Sequence, residues 1–337
     1  MMDVQRMRRI VDDVEAGPQP YAAKKAAARW LGPDSGVPLV YARSSANHLF
    51  RFQLGEQPYF LRLAHDEERQ VAAIAAELDF VRHVAGAGLA VAIPIESTTH
   101  RLLIEQVRCG GWRYNAVVFE GLRGRELDVD DLDETRYRAW GRALALVHHA
   151  SRTFPPHPAR PTWRDQTLAA MRALPPEETE VARVITSGLR WLESLDLTEQ
   201  EYGLLHGDFE LDNIIWDGNR PQALDFDDAT YGWYGLDIAI ALQDVWEAGE
   251  DGDGASQAER DRRYTWFAEG YAALRPLPSG LPEALPRLRT LLLAVKMARL
   301  LRAYATTTEG EQPAWLSQMR TRHQGWLAAR RAQLMWE

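Results

Sequence analysis

The stretch LLHGDFELDNIIWDGNRPQALDFDDA, Leu204 to Ala229, constrains this chain more than any other. It opens with His206-Gly207-Asp208, carries an asparagine five positions after that aspartate, Asn213, and closes on a second acidic cluster, Asp225-Phe226-Asp227. Between the two lie β-like runs at Asn213 to Trp216 and Gln222 to Phe226. The turn residues Asp217-Gly218-Asn219-Arg220-Pro221 part them, a pattern that predicts a hairpin. One loop and one strand end can then supply a carboxylate that orients an attacking hydroxyl and takes its proton, together with oxygen ligands for magnesium. Those are the needs of phosphoryl transfer from a nucleotide.

The texture of the chain changes near Gly121. Before it, residues 21–31 read as a helix closed by Gly32-Pro33-Asp34-Ser35-Gly36. NHLFRFQL and YFLRLA then alternate apolar with polar around the turn Gly55-Glu56-Gln57-Pro58, which signals a hairpin. A long helix is expected from about Glu67 to Val84, ended by Gly86-Ala87-Gly88, and VAIPI, RLLIEQV and WRYNAVVFEGL read as further strands. From Asp128 onward apolar residues recur at helical spacing. Leu291 to Leu301 is the most apolar stretch, but Lys296 and Arg299 interrupt it and it falls short of the ~20 residues needed to span a bilayer, so it reads as a buried amphipathic helix.

Composition narrows the partners. The 337 residues, 46% hydrophobic and 26% charged, suit two or three globular units. Thirty-nine Lys and Arg against 48 Asp and Glu leave a net charge of −9, which argues against nucleic-acid binding through the phosphate backbone. The single cysteine, Cys109, makes neither an internal disulfide nor a thiolate zinc cluster. The opening MMDVQRMRRIVDDVEAG holds no uninterrupted apolar core. A cytoplasmic protein without membrane attachment is therefore expected, and nothing in the residues bears on oligomeric state. GEDGDG, Gly249 to Gly254, reads as a solvated loop, since the twelfth position of a calcium loop counted from Asp251 falls on Arg262. No G-x-x-x-x-G-K-[ST] loop occurs, and Gly86-Ala87-Gly88 lacks the context of a dinucleotide fingerprint.

The H-x-D-x-x-x-x-N spacing followed by D-F-x is that of protein kinases. With Gly207 in place of arginine and Asp227 in place of glycine, the sequence resembles the small-molecule branch, the aminoglycoside phosphotransferase and choline kinase-like family. The resemblance implies an α+β, bilobal protein-kinase-like fold with a small antiparallel-sheet N-lobe and a larger, mainly helical C-lobe. The expected division is a helical extension over 1–36, an N-lobe over 37–121 and a C-lobe over 122–337. Carried over, Asp208 is expected as the catalytic base, Asn213 and Asp225 as magnesium ligands, and His206 as a brace for the loop.

Asp237, in YGWYGLDIAIAL, is expected as a helix N-cap, alone or with a second role in supporting the loop. For the nucleotide, Arg62 on the strand YFLRL and Glu77 on the long helix would form the cation–glutamate pair, arginine standing where protein kinases place lysine. Ser45, in the glycine-free turn Arg43-Ser44-Ser45-Ala46-Asn47, would meet phosphate oxygens. Backbone groups from Phe119 to Gly121, in the hinge VVFEGLRG, would read the edge of the base. His148 and His149 close the helix ahead of the loop and are expected to serve packing. Glu210, Asp212 and Asp228, with Asp227 and the aromatics Tyr231, Trp233, Tyr234 and Trp246, would suit a cationic or hydroxyl-rich acceptor.

The activity so implied is magnesium-dependent transfer of the γ-phosphoryl of ATP or GTP to a hydroxyl of a small molecule. The alternatives are a nucleotide-binding module without turnover and a stress-response-type protein Ser/Thr kinase.

Overall fold

A computed structural model describes residues 1–17, 21–247, 256–307 and 312–336. Two helices lead, α1 (Val4–Ala16) and α2 (Tyr21–Leu31), followed by the strands β1 (Val40–Ser44), β2 (His48–Leu54) and β3 (Gln57–His65). The helix α3 (Val71–Gly86) comes next, then β4 (Pro94–Ile95), β5 (Glu105–Cys109) and β6 (Trp112–Glu120). These strands make one antiparallel sheet in the order β1-β2-β3-β6-β4, with β5 also on β6. Alternation along β2 explains its faces: Phe50 and Phe52 are buried while Arg51 and Gln53 are exposed. The buried face packs Leu61, Leu63, Val107, Ala116 and Val118 against Ala22, Ala23, Ala26, Ala27 and Trp30 of α2. Ile74 and Leu78 of α3 cover Ala64 and Val117.

The helix expected from Glu67 begins four residues later, at Val71. Glu67 and Glu68 are instead drawn to Arg6 of α1 at 2.6 Å each, and Asn115 of β6 donates to Asp66 Oδ1 at 3.2 Å and to the Arg69 carbonyl at 2.8 Å. Those bonds hold residues 66–69 in a turn.

Beyond Glu120 the chain is dominated by helices: α4 (Glu134–Ser151), α5 (Trp163–Arg172) and α6 (Thr179–Glu193), then, after four short strands, α7 (Tyr234–Ala241), α8 (Gln243–Glu247), α9 (Gln257–Ala272), α10 (Leu281–Tyr304) and α11 (Ala314–Arg330). Their buried faces share one large core that includes Trp140, Leu144, Ile185, Phe209, Leu236, Phe267 and Leu291. The strands form two antiparallel pairs, β7 (Tyr202–Leu205) with β10 (Thr230–Trp233) and β8 (Ile214–Asp217) with β9 (Arg220–Ala223).

The second hairpin is tighter than its sequence suggests. Asp217 pairs with Arg220 and Trp216 with Pro221, so the turn is Gly218-Asn219 alone and the returning strand stops at Ala223. Proline is tolerated because this is a two-stranded edge. Leu224 N then donates to Asn213 O at 2.9 Å, which returns the chain beside the loop it left.

The helix α1 joins the two regions. Met2, Met7 and Val11 pack with Tyr41 of β1 and with Trp315 and Met319 of α11, and Met2 N donates to Ser45 O at 2.8 Å. Among the described residues no helix is long and apolar enough to cross a membrane. Cys109 is free and half-buried. The GEDGDG stretch, 249–254, lies outside the described residues.

Candidate functional site

The loop between β7 and β8 carries Asp208. Gly207, just ahead of it, has φ 85°, and a Cβ built there would collide with the Asp228 carbonyl. Glycine is therefore required twice over, and the arginine of a protein-kinase loop has no place to stand. His206 is fully buried. Its Nε2 donates to Leu224 O at 2.9 Å, so Nδ1 is the acceptor for Asp208 N at 3.3 Å.

Asp237 supports this loop from below. It sits in the first turn of α7, where Trp233 occupies the N-cap position, so the capping expectation is corrected. Its buried carboxylate accepts from His206 N at 2.7 Å, from Gly207 N at 2.8 Å and from His148 Nε2 at 3.0 Å. The His148 Nδ1 faces Tyr271 Oη at 2.7 Å. Expected only to pack, His148 belongs to this brace, whereas His149 is exposed. Burial alone would push the Asp237 carboxyl up, but the hydrogen bonds it accepts from His148 and from the Gly207 amide outweigh that and hold it below the usual range.

Asp208 Oδ2 accepts from Asn213 Nδ2 at 2.8 Å, and the same amide reaches the Asp208 carbonyl at 2.9 Å. That turns Asn213 Oδ1 away, where it is buried and without a hydrogen-bond partner. Across the cleft, Asp225 follows β9 in the left-handed region, φ 54°, and its Oδ1 is likewise buried and without a hydrogen-bond partner. Both residues line one cleft, and an amide oxygen and a carboxylate oxygen that each lack a hydrogen-bond partner are hard donors that fit a divalent cation keeping its remaining places for water and phosphate. Among the described residues no group of three or more His, Cys, Asp or Glu forms an all-protein metal cage. Burial and the neighbouring carboxylates Glu210, Asp228, Asp225 and Asp212 raise the Asp208 carboxyl well above its ordinary range. Asp225 is pushed up to about 6 by burial and by Asp227, against the pull of Arg62.

On the sheet side, Arg62 of β3 meets Glu77 of α3 in a two-pronged buried pair, Nη1 to Oε1 at 2.7 Å and Nη2 to Oε2 at 2.8 Å, with Nη1 3.8 Å from Asp225 Oδ1. Ser45 lines the cleft. The Phe119 ring lies 5.1 Å from the Arg62 guanidinium carbon. At the hinge, the amides of Glu120 and Gly121 already donate to Ile93 O at 2.9 Å and Pro58 O at 2.8 Å, so they cannot read a base edge. Gly121 is glycine for closeness, since a Cβ would stand 2.8 Å from Pro58 O.

The cleft itself has a volume of about 490 Å³, and Glu210, Asp212 and Asp228 line it. Asp228, however, is engaged by Arg69 at 2.9 Å and Arg299 at 3.3 Å, which hold its carboxyl far below the usual range despite burial. Asp227 is bound by Arg69 and Asn47. The aromatic expectation is corrected. Trp233 and Tyr234 are buried in the helical core, the Tyr231 hydroxyl accepts from His157 N, and Trp246 packs under Arg289. The aromatic wall comes instead from Trp163 of α5 and His323 and Trp326 of α11, with Lys296 and Arg299 of α10. The two cations that interrupt the apolar run Leu291 to Leu301 were the sequence signal for that wall.

A family model for phosphotransferase enzymes matches residues 40–277. Amicoumacin kinase of Bacillus subtilis is 29% identical over 210 residues, covering 61% of this chain and 62% of that relative, so the match spans under two thirds of the relative's length. A homoserine kinase of Methylobacillus flagellatus is 27% identical over 262 residues, 75% of this chain and 77% of its own. Among solved structures, an amicoumacin kinase in complex with AMP-PNP, Ca2+ and Ami superposes with a TM-score of 0.76 at 22% identity, covering 97% of this chain and 98% of that one. A microcompartment-associated aminopropanol kinase gives 0.68 at 20% identity, covering 91% and 94%. These likenesses show the fold, two-lobed and kinase-like.

Proposed function

The chain belongs to the phosphotransferase enzyme family, and from that premise we propose that it is a small-molecule kinase that moves the γ-phosphoryl of ATP or GTP to an acceptor hydroxyl with magnesium present. The observation that carries this reading is the convergence of Asp208 with the unsatisfied oxygens of Asn213 and Asp225 on one cleft, backed by the Arg62–Glu77 pair. Asp208 would accept the proton of the acceptor hydroxyl. Its desolvated carboxylate, surrounded by other acids, is a stronger base than one in water, and Asn213 fixes which oxygen points away from the loop. Asn213 and Asp225 would hold the magnesium ion, which when bound neutralises charge on the β- and γ-phosphates. Arg62, held by Glu77, would bind the nucleotide phosphates, with the Ser45 turn above them.

The acceptor is expected to be a small hydroxyl compound that carries an amine. The kinases this chain resembles are named for homoserine, aminopropanol and amicoumacin, and Glu210 and Asp212 add negative charge to the cleft. The stress-response protein kinase reading is disfavoured by Gly207, which leaves no room for the arginine of a protein-kinase loop. The test is a magnesium-dependent ADP-release screen over aminoglycosides, amino alcohols, sugars and nucleosides, with an unstructured Ser/Thr-rich protein as a further acceptor. Release with an amino alcohol or aminoglycoside, absent from Asp208→Asn, is the expected result; release only with a protein acceptor would overturn it.

A further inference from the structure

The turn that carries Asp225 is held from three directions. Phe226 lies between Phe80 of α3 and His206, with ring centroids 5.8 and 4.3 Å away. Arg160 donates from Nε to Ala229 O and from Nη2 to Asp227 O, each at 2.7 Å, and from Nη1 to Ala73 O in the first turn of α3 at 3.2 Å. Arg69 reaches from two residues before α3, its Nε 2.8 Å from both oxygens of Asp227 and its Nη2 2.9 Å from Asp228 Oδ1. Arg69 is itself anchored to the sheet through its carbonyl, which accepts from Asn115 Nδ2 at 2.8 Å. One guanidinium fork thus ties the sheet and the start of α3 to the turn beyond β9. The left-handed backbone at Asp225 is a conformation that a residue with a Cβ keeps only where its surroundings fix it.

We propose that Arg69 is a positioning residue for the metal–nucleotide: by bridging Asp227 and Asp228 from a backbone anchored to the sheet, it holds Asp225 in place. The inference rests on reading the cleft as a metal–nucleotide site. Arg69 acts through Asp225, because its own donors are spent on Asp227, Asp228 and the Glu68 carbonyl. Lysine does not replace it, since a single ammonium lacks the planar fork that spans both carboxylates.

The test is calorimetric titration of the full chain with AMP-PNP, in magnesium and in EDTA, for the wild type, Arg69→Lys, Arg69→Ala and the double variant Arg69→Ala with Asp227→Asn. Partners behind a metal ligand are worth on the order of 10–100-fold in metal affinity, so Arg69→Ala should weaken binding in magnesium roughly tenfold and leave binding in EDTA within about twofold. Arg69→Lys should fall between, and it carries the test if the alanine variant does not fold. The double variant should recover part of the loss, because it removes a buried carboxylate left without its partner. Equal weakening with and without magnesium, or none, overturns the inference. If the wild type binds AMP-PNP more tightly in magnesium but transfers no phosphoryl group, the reading of function falls and this inference stands. If magnesium does not strengthen wild-type binding, both fall.

Discussion

Asp237→Ala isolates the brace beneath the candidate loop. The carboxylate is fully buried and accepts three hydrogen bonds, from His206 N at 2.7 Å, Gly207 N at 2.8 Å and His148 Nε2 at 3.0 Å. Alanine leaves all three donors buried and unmet. An orphaned buried donor costs about 1–3 kcal/mol, and partial rearrangement around the small side chain keeps the sum toward the low end, so a loss of about 4 kcal/mol is expected. Asp237→Asn keeps one acceptor oxygen but turns an NH2 toward one of the donors, so it should lose about half as much. Urea unfolding followed by tryptophan fluorescence reads the change as a lowered midpoint. Turnover should fall with it, since two of the three donors are the amides of the two residues just before Asp208. An alanine variant within about 1 kcal/mol of wild type, with turnover unchanged, would refute the reasoning, because it would mean that the loop holds its shape without the carboxylate.

Gly207→Ala should leave the chain folded but depress turnover, because its Cβ must displace the Asp228 carbonyl and a left-handed conformation costs about 1–2 kcal/mol in a residue with a side chain; an unchanged kcat would contradict this. Stability should fall on acidification. Burial holds His48, His148 and His206 neutral below their ordinary 6.5, so as pH drops through 6.5 the unfolded chain binds protons that the folded chain refuses; Asp208 and Asp225, raised in the fold, work in the opposite sense and offset part of that loss. Asp237, depressed in the fold, adds a further loss below its ordinary 3.8. Urea midpoints measured between about pH 8 and pH 3 check this, and a midpoint that rises on acidification would contradict the sign.

The order of strands and helices was legible because each local pattern agrees with its surroundings. The alternation around Phe50 and Phe52, the helix over 21–31 and the spacing from His206 to Asp225 all have local causes. What was not legible depends on partners distant in sequence. Glu67 and Glu68 have helical propensity, yet Arg6, some sixty positions earlier, draws them into a turn. Asp237 stands where a capping residue is plausible, and only the return of β7 beneath α7 shows that its acceptor capacity is spent on the loop. Arg69 and Arg160 sit in unremarkable polar segments. Their partners are Asp227, Asp228 and Ala229, which come near only when the two lobes meet. The aromatic residues near the motif in sequence went to the core, while Trp163 and Trp326 reached the cleft from other helices.

The central claim is that the Asp208 carboxylate takes the proton of an acceptor hydroxyl. Asp208→Asn tests it most directly, because the asparagine can still offer an oxygen to Asn213 Nδ2 and so keep the loop in place. With an acceptor found in the ADP-release screen, kcat should drop by about 10²–10⁴-fold while AMP-PNP binding in magnesium persists. Turnover at the wild-type rate would contradict the claim.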